Sequence, residues 1–232
     1  MTELQDCLGR IFTKNQLSPE LQLQAQSLAG MVEEKGKLSC NRCGQAIDKE
    51  KQQLPIGAYY CRFCLILRVR SDEELYYFPQ EEFPKANVLK WQGKLTEFQA
   101  KVSQGLVEAV TKRKDSLVHA VTGAGKTEMI YHVVAQVINQ GGAVCLASPR
   151  IDVCLELYRR LKVDFTCDIS LLHGESEAYS RSPLVIATTH QLLKFYQAFD
   201  LLIVDEVDAF PYVDNPMLYH AVHQAVKVEG TK

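Results

Sequence analysis

From residue 116 onward, short blocks of consecutive apolar positions alternate with stretches in which apolar residues recur every three or four places. The blocks 116–120, 143–147, 169–172, 184–188 and 201–204 read as strands. The stretches near 126–139, 151–161, 190–196 and 216–226 read as amphipathic helices. Strands that are apolar at every position are buried on both faces. Joined by helices, they predict an α/β fold, a doubly wound parallel sheet covered on both sides. Upstream, Val102, Leu106, Val107 and Val110 keep helical spacing behind Thr96, a good N-cap, so a helix leads into the sheet. Residues 1–37 mix Leu with Gln and other polar groups and predict a short helical or partly ordered arm. A helix start at Ser18-Pro19-Glu20 is the one marked feature there. Residues 71–94 crowd acids and aromatics and read as a linker or hairpin. The expected organisation is therefore an arm (1–37), a small module (38–70), a linker (71–94) and an α/β lobe (95–232).

The first strand runs into Ala120-Val121-Thr122-Gly123-Ala124-Gly125-Lys126-Thr127 and then into a helix. Strand, Gly-rich turn and helix start is a geometry that holds phosphate. Glycines let the backbone approach the anion, and successive N–H groups form a nest at the positive end of the helix. Thr122, Gly123, Ala124 and Gly125 would line that nest, with Lys126 reaching the outer phosphates and the Thr127 hydroxyl ligating Mg²⁺. The pattern departs from the usual loop at its first position, where Ala120 replaces Gly. Far downstream, the apolar run Leu201-Leu202-Ile203-Val204 ends in Asp205-Glu206-Val207-Asp208. Ligands in such sheets bind at the carboxyl ends of strands, which puts two acids beside the loop. Asp205 suits a Mg²⁺ ligand and Glu206 the group that orients and deprotonates an attacking water.

Composition adds little until the cysteines are placed. The chain has 232 residues, 47% of them hydrophobic, and a formal net charge of −2, which exerts no global pull on nucleic acid or membrane. It has no run of 18 apolar residues and no basic start followed by an apolar block, so an intracellular protein is expected. Of eight cysteines, Cys7, Cys145, Cys154 and Cys167 are scattered, whereas Cys40, Cys43, Cys61 and Cys64 follow Cys-x2-Cys-x17-Cys-x2-Cys. Two knuckle-like turns can supply four thiolates to a tetrahedral Zn²⁺, and a module this small has little core without one. Two redox pairs or two disulfides are the competing uses of the same spacing. Between Cys40 and Arg70, Arg42, Lys49, Lys51, Arg62, Arg68 and Arg70 outweigh Asp48 and Glu50, with Tyr59, Tyr60 and Phe63 interleaved. Charge plus stacking surface suits single-stranded nucleic acid. A solvated ribbon with a small aromatic core fits equally well.

Ala-x-Thr-Gly-x-Gly-Lys-Thr combined with Asp-Glu-x-Asp resembles the signature of superfamily 2 helicases and DNA translocases, and the Ala120 departure belongs to that pattern. The resemblance implies a RecA-like fold, with ATP and Mg²⁺ as cofactors beside Zn²⁺. Leu95-Thr96-x-x-Gln99 resembles the glutamine motif, whose amide reads the adenine edge. Ser148-Pro149-Arg150 and Thr188-Thr189-His190-Gln191 resemble the two motifs that contact nucleic-acid phosphates, which makes Pro149, Arg150, Thr188, Thr189 and His190 candidate DNA contacts. Leu172-His173-Gly174-Glu175 resembles the segment between those two motifs. With a four-cysteine module ahead of the motor and Val-Asp-Glu-Val-Asp-Ala-Phe-Pro closing it, residues 38 to 220 look like the late competence ComFA family. That implies a cytoplasmic DNA-dependent ATPase acting on single-stranded DNA during uptake of transforming DNA. Its partners would be ComFC and a DNA-processing protein, with assembly into oligomers and membrane contact only indirect, through the uptake machinery. PriA, the replication-restart helicase, has a similar loop, but its zinc cysteines lie between motor motifs.

The motor family closes ATP between two lobes, the second carrying arginine fingers, and no Ser/Thr-Ala-Thr segment follows Asp208 here. The chain is thus expected to be the amino-terminal part of a longer protein, with weak hydrolysis of its own. The non-enzymatic alternative is a zinc-containing docking module for single-stranded DNA or protein. Two separable modules would also mean that Cys40→Ser unfolds residues 38–70 locally and spares Lys126.

Overall fold

In the computed structural model, residues 3–121 and 123–232 are described. The chain divides into two compact units, each built from non-contiguous stretches.

One unit comprises Glu82–Thr188, Phe199–Val207 and Val226–Lys232. Its centre is a five-stranded sheet of β6 (Val144–Ser148), β7 (Ile169–Leu172), β8 (Leu184–Thr188), β9 (Phe199–Val204) and β10 (Val226–Thr231). The order is β10-β9-β6-β8-β7, and every neighbouring pair is parallel. β6 and β8 are buried at every position, as their unbroken apolar sequences require of strands covered on both faces. Helices α2 (Glu97–Thr111), α3 (Lys126–Asn139) and α4 (Ile151–Asp164) supply that cover. α3 and α4 bury Val134, Ile138, Leu157 and Leu161 in one cluster with Leu146 and Ile186. The Tyr131 ring sits edge-on to both Trp91 and Phe165, and its hydroxyl donates to Asp164 Oδ2 at 2.6 Å.

Two expectations for this unit are corrected. Residues 116–120 do not form a paired strand: Ser116 N donates to Lys232 O, but 115–121 join no ladder, and Leu117 is 81% exposed. An apolar run becomes a strand only where a neighbouring backbone pairs with it, which composition cannot specify. Conversely, β10 escapes a reading of the sequence because Val226-Lys227-Val228-Glu229-Gly230-Thr231 is polar at alternate positions and interrupted by Gly230. Lys227 is held on β9 by an ion pair with Asp200 at 2.8 Å.

The other unit comprises the residues up to Glu81 together with Thr189–Ala198 and Asp208–Ala225. Its first sheet, in the order β1-β5-β2, is antiparallel and consists of β1 (Ile11–Thr13), β2 (Gln26–Ala29) and β5 (Glu74–Tyr77). A hairpin of β3 (Met31–Glu34) and β4 (Lys37–Cys40) leads into the cysteine module. The expected arm is instead structured: Cys7, Leu8, Phe12 and Leu17 form a small core with Phe78. Its short helix α1 (Pro19–Gln24) does start at Ser18, whose Oγ accepts from Leu21 N. β5 likewise lies inside what the sequence suggests is a linker. The 190–196 helix is a short 3-10 turn, Thr189–Lys194, packed against α5 (Pro216–Ala225). Both of these segments fall within the 95–232 stretch but pack with the N-terminal residues.

Candidate functional site

The Gly-rich turn enters α3 with two left-handed glycines, Gly123 at φ +80° and Gly125 at φ +73°, the second being the residue that caps the helix. Thr122 lies outside the described residues. Lys126, the first helical residue, is exposed, and Ala124 and Thr127 are half-buried. The first N–H groups of a helix have no partner within it, and with exposed Lys126 beside them they make a cradle suited to an anion.

Gln99 lies against this turn. Its side-chain amide donates to Ala124 O at 2.9 Å, while its Oε1 accepts from Thr96 N at 2.9 Å and its own N donates to Thr96 Oγ1. The capping box that starts α2 thereby also braces the turn that starts α3. A β-carbon on Gly125 would come within 2.4 Å of Gln99 Nε2, so the absence of a side chain is what admits the brace.

Asp205 and Glu206 follow β9 at its carboxyl end, next to the end of β6. Asp205 N donates to Ala147 O at 2.8 Å, and Asp205 Oδ1 accepts from Glu206 N at 3.0 Å. Glu206 adopts a left-handed φ of +54°, its Oε2 is buried without a hydrogen bond, and the Arg150 guanidinium lies 3.8 Å away. Arg150, exposed after half-buried Pro149, is also tied to Asp152. Thr188 ends β8 within this unit. Thr189, which opens the 3-10 turn of the other unit, is fully buried with its hydroxyl unbonded, whereas His190 is exposed.

Sequence reasoning missed Glu128 and Arg160. The Arg160 guanidinium from α4 bonds Glu128 and reaches Thr127 Oγ1 at 3.5 Å, tying the first turn of α3 to its neighbour. The partners stand 33 and 32 residues apart, so no local pattern announces them.

In the other unit, the sulfurs of Cys40, Cys43, Cys61 and Cys64 are buried and lie within 4.8 Å of one another, with Cys43 and Cys61 at 3.5 Å. Tetrahedral Zn–S bonds of about 2.3 Å would separate ligand sulfurs by roughly 3.8 Å, so the four fit a zinc ion. Each pair sits on a tight turn. Gly44 N donates to Cys40 O at 2.8 Å, with Gly44 at φ +70°, and Cys64 N donates to Cys61 O at 3.1 Å. The scattered Cys7, Cys145, Cys154 and Cys167 are all raised by burial, as inert thiols are.

A DEAD/DEAH box helicase family profile matches residues 96–230, more than half of the chain. Competence protein ComFA of Streptococcus pneumoniae is 71% identical over 228 residues, covering 98% of the chain and 52% of the relative. The chain belongs to the DEAD/DEAH box helicase family. ComFA of Bacillus subtilis is 43% identical over 205 residues, 85% of the chain and 44% of the relative. Replication restart protein PriA of Helicobacter pylori is 30% identical over 117 residues, which cover 46% of the chain and 19% of that protein. The chain thus spans about half the length of the ComFA relatives it matches. Among the described residues no helix is long and apolar enough to cross a membrane.

Proposed function

We propose that this chain is the nucleotide-binding part of an ATP-driven, single-stranded DNA translocase that serves uptake of transforming DNA in competence. One observation carries the reading. The phosphate-type turn at the start of α3 and the Asp205-Glu206 pair at the end of β9 belong to one compact α/β unit of a DEAD/DEAH box helicase chain that is 71% identical to a ComFA protein. Bound nucleotide with Mg²⁺ would supply the phosphoanhydride whose cleavage drives movement. Lys126 and the backbone of Gly123, Ala124 and Gly125 would hold its phosphates, with Thr127 and Asp205 as the magnesium ligands. Glu206 would accept the proton of a water, its buried, unbonded Oε2 being the available acceptor. Gln99 is the candidate for the adenine edge, and Pro149, Arg150, Thr188, Thr189 and His190 for DNA phosphates. Because Thr189 is buried, its backbone rather than its hydroxyl is the contact to expect. Zn²⁺ belongs at Cys40, Cys43, Cys61 and Cys64. The partners expected on this reading are ComFC and a DNA-processing protein.

ATPase measurements on the full-length protein test this. Single-stranded DNA is expected to stimulate turnover, and Lys126→Ala to lower it by roughly 10²-fold or more. Unstimulated turnover that survives the substitution would sink the motor reading. The 232 residues alone are expected to hydrolyse ATP far more slowly than the whole protein.

A second reading, a docking module for DNA or protein, is favoured by the apolar surface around the second knuckle. Phe63, Leu65 and Ile66 are exposed there, and the Arg62 guanidinium lies 5.7 Å from the Phe63 ring centre. If Phe63→Ala abolishes DNA binding while nucleotide has no effect on it, this reading gains over the motor.

A further inference from the structure

Arg42, between Cys40 and Cys43, is 1% exposed, and among the described residues no carboxylate pairs with it. Its Nε donates to Leu193 O and its Nη2 to Ile11 O, both at 2.9 Å, while Nη1 is buried without a partner. The sulfurs of Cys64, Cys40 and Cys43 lie near enough to the guanidinium to favour its charge when they are themselves ionised. A buried cation is costly unless a negative charge compensates it. Two main-chain carbonyls satisfy donors but supply no charge. Four thiolates around one Zn²⁺ carry a formal net charge of −2, whereas four protonated thiols with no metal carry none.

The carbonyls that Arg42 grips belong to different stretches of this unit. Ile11 is in β1, and Leu193 is in the Thr189–Ala198 segment that directly follows β8 in sequence. The same knuckle has further holds. Gln224 of α5 donates to Asn41 O at 2.7 Å, and Gly44 packs so closely on the His220 ring that a β-carbon would come within 2.6 Å of it. The 189–198 segment has its own exchange-reporting amides: Tyr196 N donates to Gly9 O, Gln197 N to Gln224 O and Ala198 N to Ala225 O.

We propose that Arg42 is the charge partner of the four-thiolate metal site and the latch through which its occupancy holds the Thr189–Ala198 segment in place. Loss of the metal removes the compensating charge, the guanidinium leaves its pocket for water, and Leu193 O and Ile11 O are released. Thr189 and His190, at the start of the latched segment, lose their fixed positions with it. Arg42 is thus a positioning residue that acts through a metal it does not ligate. The inference rests on the zinc reading of the four cysteines.

The test uses the full-length protein, with zinc content, zinc affinity against a chromogenic chelator and hydrogen exchange of Tyr196, Gln197 and Ala198 as readouts. Chelating zinc from the wild type is expected to accelerate exchange at those amides by tenfold or more. Arg42→Gln, which removes the charge, is expected to weaken zinc binding by roughly 10–100-fold. Arg42→Lys keeps the charge but not the two-pronged grip. It is expected to hold zinc within about threefold of wild type while exchanging faster at the same amides. Zinc bound at one per chain, with Arg42→Gln and Arg42→Lys equal in affinity, would overturn the charge role alone. Unchanged exchange on chelation of the wild type would overturn the latch whether or not the variants fold. A wild type that binds no zinc would overturn the metal reading and the proposal together.

Discussion

At Gly125 the constraint is doubled. Its φ of +73° strains any side chain, and a β-carbon would strike the Gln99 amide that braces the turn. Gly123, at φ +80°, faces open space and carries only the first constraint. Gly125→Ala is therefore expected to weaken nucleotide binding by at least about tenfold and to cost about 1–2 kcal/mol in stability. Gly123→Ala should share the stability loss without displacing Gln99. Titration with a fluorescent nucleotide and thermal melting of both variants would check this; equal nucleotide affinities would contradict it. These glycines were legible because the loop's chemistry fixes its spacing. Arg42 and Arg160 were not. Arg42 meets Leu193 across 151 residues and Arg160 meets Thr127 across 33, and nothing in the neighbourhood of either marks it as more than a surface cation.

Elements were legible where burial is uniform and obscure where pairing decides. β7 and β8 end where their apolar runs end, and α3 spans the predicted residues, because core cover dictates both. The 116–120 run, Ser-Leu-Val-His-Ala, reads as a strand but joins no ladder, and β10 has a ladder but an unpromising composition. The start of α2 was predicted from Thr96, although its second role was hidden: the same capping box holds Ala124. Thr96→Ala is expected to cost about 1 kcal/mol in unfolding by urea, and to lower nucleotide affinity as well because Gln99 loses its anchor. A stability loss with unchanged affinity would mean that the brace is incidental. Tyr131→Phe, by contrast, removes only the bond to Asp164 on α4, and should cost about 1.5 kcal/mol with nucleotide affinity unaltered; an unshifted urea midpoint would count against that bond.

For the whole molecule, the expected two-module division gives way to interleaving, with the cysteine module sharing its unit with segments from far along the chain. Removing a metal ligand should therefore have effects beyond residues 38–70. Cys40→Ser is expected to abolish zinc binding and to open 189–198 and 208–225 to limited proteolysis, while the Glu82–Thr188 stretch stays protected. Cleavage confined to 38–70 would restore the picture of a self-contained ribbon.

Interleaving also sets a timetable for biosynthesis. The residues up to Glu81 leave the ribosome before the rest of their unit, yet the partners for Gly9, Arg42 and Gly44 lie at Tyr196, Leu193 and His220. At roughly 5–20 residues per second, the newborn N-terminal stretch waits on the order of ten seconds before its own unit can close. Nascent chains stalled short of Thr189 should therefore remain protease-sensitive throughout that stretch, and chains carried well past Ala225 should resist. Resistance in the shorter chains would mean that the cysteine turns fold unaided.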